Sequence, residues 1–324
     1  MKKNRLKFRE KVGIIPLGIR LKQAKVALFG EEDVPASKFD LSSLSQLHPG
    51  ISPKMWRGKT HIAKKVIISN LYNHKQTPIE NGWSVQKTQV LDFRGKQLTY
   101  NSHNGTDFAI PVGTTVCTAA PGEVVEVRSE FNRGGLKVFV DHGNGLMTCY
   151  AHLARSLVKV GDILKRGQSI ALSGYSGLDG LSTFPFGIPH VHFNVWLNCQ
   201  PIDPFPHQNE SSVWRGGMLP TATDFEEFAD FTPSVFDENN VYAAIENCKT
   251  SSSKERILGY PTLKEKAFQT IIEMNYYPTR FSEIFNLFDD TFPRIAHLDL
   301  PFRAIDFDGV VFLDDIKSAK KKKI

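Results

Sequence analysis

The sequence predicts an α+β protein: a central antiparallel, β-rich region over about residues 87–207, an irregular N-terminal arm before it, and a partly helical extension after it. Three observations carry this reading. From residue 87, short alternating runs recur about every eight to twelve residues, with glycine-bearing turns between them, which is the texture of an all-β unit. Before it, Pro16, Pro35, Pro49, Pro53 and Pro78 interrupt short apolar pieces such as Lys64–Leu71. After Pro204 the apolar spacing turns helical, most clearly over Leu263–Tyr276, where Phe268, Ile271, Ile272 and Met274 form one side.

Taken in order, residues 1–86 read as an arm that covers the later domain. His48, His61 and His74 lie there in polar surroundings and read as surface or locally bonded residues. The basic start and the apolar run Val12–Ile19 have the outline of an export signal. Gly13, Pro16 and Gly18 break that run and Arg20 and Lys22 follow it, so no cleaved signal is expected. No stretch approaches the ~20 apolar residues of a membrane helix. At face value this predicts a cytoplasmic chain, with the cell envelope or exterior as the alternative if it is exported by another route.

The central strands are expected at Thr88–Phe93, Thr106–Ile110, Thr115–Ala119, Gly122–Ser129, Leu136–Asp141, Leu146–His152, Ser169–Ser173 and His190–Leu197. Gly134-Gly135 and Gly143-Asn144-Gly145 mark tight turns. No helix of any length is expected between residues 87 and 207, and Gly177–Pro189 reads as a loop forming a wall of a substrate groove. In the extension, Ser251–Ser253 reads as a linker, Arg280–Phe288 as a second helix and Gly309–Leu313 as a last strand, ahead of a lysine tail.

Charge is distributed unevenly. Residues 1–25 hold nine Lys or Arg and one Glu, a local +8, and residues 317–323 hold five lysines; removed from the net +6, they leave about −7 between them. The body is therefore mildly acidic, and the basic ends read as solvated termini rather than as a specific nucleic-acid surface. Cys117, Cys149, Cys199 and Cys248 form no CxxC pair and read as free thiols, buried in most cases. No particular oligomeric state is implied.

The chemistry concentrates at the two ends of the stretch 103–192. On a strand, His190 and His192 project from one face with Asn194 and Trp196, while Val191, Phe193, Val195 and Leu197 point the other way. His103 and Asp107 share a face if their segment is extended. A pocket that takes three of these four groups and leaves one position open is suited to a catalytic zinc ion. His152, in Tyr150-Ala151-His152, is a further imidazole in the same unit.

These residues also carry a family resemblance. His103-Asn104-Gly105-Thr106-Asp107, Asp141-His142-Gly143-Asn144-Gly145, Tyr150-Ala151-His152-Leu153, Val160-Gly161-Asp162, His190-Val191-His192-Phe193 and Pro201-Ile202-Asp203-Pro204 resemble, in order, the motifs of LytM/lysostaphin-like zinc endopeptidases. The resemblance spans about residues 87–205. It implies that His103, Asp107 and His192 bind one zinc ion per chain. It implies also that His152 and His190 flank the reacting water as general base and as stabiliser of the tetrahedral intermediate, with the peptide part of bacterial peptidoglycan as substrate.

The chain departs from the family's pattern in places. HVH stands for the commoner HLH, Asn194 stands where a glutamate is frequent, and the loop before His190 is long. His142 beside its Gly-Asn-Gly turn reads as structural, and Tyr100 as a core residue near His103. Two other readings of the module stand beside catalysis on the wall: a non-catalytic activator of another hydrolase, and a peptidase acting on a protein. A biotinyl-type carrier, suggested by the Val160–Ile170 hairpin, leaves the histidines unexplained.

Overall fold

The computed structural model describes residues 6–75, 82–223 and 231–316. Pro78 and the 317–323 lysine tail lie outside the described residues. Eleven strands form one sheet: β1 Val66–Asn70, β2 Thr106–Ala109, β3 Thr115–Cys117, β4 Gly122–Glu130, β5 Gly135–Asp141, β6 Leu146–Ser156, β7 Ile163–Leu164, β8 Ser169–Ser173, β9 His190–Leu197, β10 Gln200–Ile202 and β11 Val310–Phe312. Their main order is β11-β1-β2-β9-β6-β5-β4-β7; β10 pairs with β9, and β8 joins β3 to β6. All pairings are antiparallel except β1 with β11.

The helices are α1 Phe8–Val12, α2 Leu17–Phe29, α3 Ser52–Trp56, α4 Leu178–Ser182, α5 Glu238–Glu246, α6 Ser251–Leu258 and α7 Leu263–Tyr276. Among the described residues, no helix is long and apolar enough to cross a membrane.

Period-two patterning divides the sheet between two cores. On β9, Val191, Phe193 and Val195 enter an inner core with Phe108 and Tyr150, closed by Trp214 and Phe302 from beyond residue 207. Trp196 faces the opposite side, where Phe139, Met147, Cys149 and Ala151 meet Phe268, Ile271 and Ile272 of α7. Helix α7 begins on a reciprocal cap: Thr262 Oγ1 accepts the Glu265 N–H at 3.2 Å, and the Thr262 N–H donates to the Glu265 carboxylate at 3.0 Å. Its inward face also buries Glu273, which ion-pairs with Arg128, Arg256 and Arg280 at 2.8–3.0 Å.

Several expectations are corrected. Thr88–Phe93 forms no strand, because the Asp92 carboxylate takes the N–H groups of Arg94, Lys96 and Leu98 and folds the segment into a turn. The stretch Gly177–Pro189 contains the short helix α4. Ser251–Ser253 is the first turn of α6, capped by Thr250, rather than a linker. After a short 3-10 turn at Pro278–Arg280, residues to Phe288 are not helical. The Phe281 backbone bridges to Cys248, and the Leu287 N–H meets Cys199 Sγ at 3.4 Å. The apolar run Val12–Ile19 is split between the ends of α1 and α2, and Lys64–Leu71 contains a fully buried strand, β1, between β2 and β11.

Candidate active site

Strand register assembles the site. β9 lies between β2 and β6, with Asp107 directly opposite His192 on one side and Ala151 opposite His192 on the other. Facing residues of an antiparallel pair share a sheet face, so Asp107 and His192 meet. His103 reaches the same point from the turn before β2, rather than from an extended strand. That turn crosses β9 closely: a Cβ on Gly105 would lie 2.6 Å from the Phe193 carbonyl oxygen and 2.9 Å from His192 Nε2. Only glycine fits there without a shift.

His152 arrives by a break in alternation. Along β6, Leu146 and Tyr150 enter the inner core, while Met147, Cys149 and Ala151 face the other way. Regular pleating would send His152 inward after Ala151. Its backbone instead adopts a left-handed conformation, φ 59°, and Leu153 takes the inward position. The His152 ring thereby turns to the site face, 4.8 Å from the His190 ring between centroids. A non-glycine residue held at positive φ beside reactive groups is strain retained where it re-aims a side chain.

The donor atoms converge. Asp107 Oδ1 lies 3.0 Å from His103 Nε2 and 2.8 Å from His192 Nδ1, and the two imidazole nitrogens are 3.2 Å apart. Ligand bonds of about 2.0–2.1 Å in a tetrahedron would separate donors by about 3.3 Å, so the trio matches a metal-binding triad with slight expansion. Further imidazoles stand beside it: His190 Nε2 is 3.5 Å from Asp107 Oδ1, and the His152 and His192 rings are 6.3 Å apart. His103 is fully buried, whereas His152, His190 and His192 keep 7–12% of their side-chain surface exposed, so the site opens on their side.

Backbone carbonyls orient the rings. His103 Nδ1 lies 2.6 Å from the Leu71 oxygen, His152 Nδ1 2.8 Å from that of Ser176, and His190 Nδ1 2.8 Å from that of Ile188. A proton on each Nδ1 leaves Nε2 with its lone pair toward the site. His192 is reversed: Nδ1 faces the site and Nε2 lies 3.1 Å from Asn104 Oδ1. Asn194 Nδ2 donates to the Asn104 backbone oxygen at 2.8 Å, and Asn194 Oδ1 accepts the Tyr276 hydroxyl at 3.1 Å.

Burial alone would raise the Asp107 carboxyl. The His103 and His190 imidazoles, with hydrogen bonds from His103 and His192, instead hold it well below the usual carboxylate range. Burial lowers His152, reinforced by neighbouring His190 and opposed by the Ser176 carbonyl. Burial also lowers His192, against the pull of Asp107. These shifts favour a neutral His192 and an ionised Asp107, the forms that bind a metal.

The structure brings His103, Asp107, His152, His190 and His192 together. Sequence reasoning missed the groups that orient them: Asn70, whose Nδ2 donates to Asp107 Oδ2 at 2.9 Å, the Leu71 carbonyl, Asn104, and Tyr276 on α7. It also missed Tyr175, whose ring lies 4.7 Å from His190 and 5.2 Å from His152. Several of these lie far from the motifs in sequence, and no spacing rule points to them. His142 is structural: its ring nitrogens sit 2.7 Å from the Pro121 oxygen and 2.8 Å from Thr148 Oγ1. Tyr100 packs 4.5 Å from the His103 ring, and His74, read as a surface or locally bonded histidine, has its Nε2 2.9 Å from Asp203 Oδ2.

Two imidazoles and a carboxylate at one point, with further imidazoles alongside, are a donor set that could hold a single metal ion. Residues 101–204 match the model of peptidase family M23. The chain thus carries an M23 peptidase domain of the LytM/lysostaphin family. It is 42% identical over 102 residues to the peptidoglycan DD-endopeptidase ShyB of Vibrio cholerae, covering 31% of this chain and 22% of that protein. It is 34% identical over 126 residues to lysostaphin of Staphylococcus simulans, covering 37% of this chain and 24% of that one. Among solved structures, the catalytic domain of lysostaphin from Staphylococcus simulans is 28% identical, with coverage of 41% and 86% and a TM-score of 0.29. The chain covers about a quarter or less of the length of these curated relatives.

Proposed function

We propose that this chain is a zinc metalloendopeptidase that hydrolyses peptide bonds in the stems or cross-bridges of peptidoglycan. The observation that carries the proposal is the convergence of His103 Nε2, Asp107 Oδ1 and His192 Nδ1 within 3.2 Å. His152 and His190 stand beside it with their Nδ1 positions committed to backbone carbonyls. The relatives named as peptidoglycan endopeptidases support the substrate class.

His103, Asp107 and His192 would hold a zinc ion, which would supply Lewis-acid polarisation of the scissile carbonyl and a water acidic enough to ionise near neutral pH. Nε2 of His152 and of His190 serve as proton acceptor and donor: one takes the proton of the attacking water, and a proton then passes to the departing amine. Once protonated at Nε2, that imidazole also stabilises the oxyanion that forms at the carbonyl. Tyr175 lines the wall behind both rings. In this reading residues 87–207 are the catalytic domain, while Asn70 and Leu71 from the arm and Tyr276 from the extension brace it.

The test is digestion of purified peptidoglycan by the zinc-loaded protein, with and without chelator, with released fragments read by mass spectrometry. Chelator-sensitive peptide fragments are expected, and their masses identify the bond. Zinc-bound protein that releases nothing refutes the substrate and points to a protein target. Protein that binds no zinc refutes the metallopeptidase reading.

A further inference from the structure

Helix α2 has a face that the described fold leaves uncovered. Its inner side is small and polar: the Arg20 guanidinium donates to the Ser129 carbonyl and hydroxyl at 2.9 and 2.8 Å, and Gln23 Oε1 accepts the Phe131 N–H at 2.8 Å. Those bonds tie the helix to the β4–β5 hairpin. Its outer side carries Leu17, Leu21 and Leu28, which lie within about 40° of one another at 3.6 residues per turn. They are 50–62% exposed, and Phe29 at the end of the helix is 75% exposed. Lys25 and Lys22, both exposed, border this stripe at about 40–80° and about 100–140° from its leucines. No acidic residue occurs from Val12 to Phe29, and nearby Glu10 is engaged by Arg155 at 2.6 Å.

We propose that α2 seats the protein on an anionic lipid surface, with its leucines at the acyl boundary and its lysines among the headgroups. Charge and apolarity together choose the occupant. A second copy of the chain would bring two patches of like positive charge together. A nucleic acid would satisfy the lysines and leave the leucines in water. An anionic bilayer satisfies both sets of side chains. Lys7 and Arg9, both exposed, add positive charge shortly before the helix in sequence. With 13 residues, α2 is too short to span a bilayer, which needs about 20, and lies in its surface plane. The proposal is independent of the catalytic reading, because no residue of the site takes part in it.

The experiment is co-sedimentation of the full chain with vesicles of phosphatidylcholine alone and of phosphatidylcholine mixed with phosphatidylglycerol. Strong binding is expected only to the anionic vesicles, weakening with added salt. The variant Leu17→Ser/Leu21→Ser/Leu28→Ser keeps every charge and is expected to lose about tenfold or more in partitioning. Lys22→Glu/Lys25→Glu is expected to weaken binding to anionic vesicles. Thermal melts establish that the variants fold; if the triple variant does not, Leu21→Ser alone, at a 62% exposed position, is read in its place. Equal partitioning of the wild type and the leucine variant overturns the proposal and gives the binding to the basic termini. Absence of vesicle binding also overturns it, as does a solution dimer that the leucine substitutions dissolve.

Discussion

Replacing Tyr276 by phenylalanine removes one oxygen atom from the outer layer of the candidate metal centre. That hydroxyl donates to Asn194 Oδ1 at 3.1 Å and lies 3.2 Å from Cys149 Sγ, and the tyrosine and asparagine are both buried. The amide oxygen would lose its donor where water does not reach, which costs about 1–3 kcal/mol. The Asn194 amide group fixes Asn104, whose Oδ1 faces His192 Nε2 at 3.1 Å, so a loosened Asn194 releases the ring that offers Nδ1 to the metal. Loss of a group that orients a metal ligand typically lowers affinity about 10–100-fold; Tyr276 acts through Asn194 and Asn104, so a zinc Kd about tenfold weaker is expected. The assay is competition against a chromophoric chelator, paired with urea unfolding of the same variant. A zinc Kd within about twofold of wild type, alongside a measurable loss of stability, would refute this route and leave Tyr276 as a packing residue.

Four further outcomes are expected. His103→Ala, Asp107→Ala and His192→Ala should lose zinc on dialysis, while His152→Ala and His190→Ala should keep it and lose turnover; equal metal content across the set would sink the assignment. Burial pushes His142 down to about 3, against the help of its Pro121 hydrogen bond. Its unfolded value is about 6.5, so below that pH the unfolded chain binds the extra proton and stability falls by up to about 1.4 kcal/mol per pH unit. The stability is fully present above that pH and is lost as pH falls toward 3; His142→Leu should show a shallower loss of urea midpoint between about pH 6.5 and 4.5. Glu273→Ala would leave Arg128, Arg256 and Arg280 facing one another without their carboxylate, and should destabilise by about 3–5 kcal/mol in urea unfolding. Gly105→Ala should cut zinc retention despite the small change, because its Cβ collides with the Phe193 carbonyl and crowds His192.

Chemistry and local pattern were legible in the residues themselves. Alternation on His190–Leu197 separated the imidazoles from the core side chains, because side chains on a pleated strand point to opposite faces in turn. The spacing of Leu263–Tyr276 matched the helix, supported by the Thr262–Glu265 cap. Local pattern failed where side chains competed for the backbone, as at Asp92, and where apolar residues bury without a helix, as at Phe281 and Leu287.

Tertiary structure decided which groups meet. No spacing rule places Asn70 against Asp107, Leu71 against His103 or Tyr276 against Asn194, since each pair joins segments whose approach depends on strand order and packing. Nor does alternation place His152 in the site; the left-handed backbone at that residue reverses the phase of its strand. The sequence by itself determined the candidate donor residues and the strand and helix that carry its most periodic stretches, because those are local properties of residue type and period. The fold alone decided how the donors are held, because orientation comes from hydrogen bonds across the sheet and from the helical layer behind it.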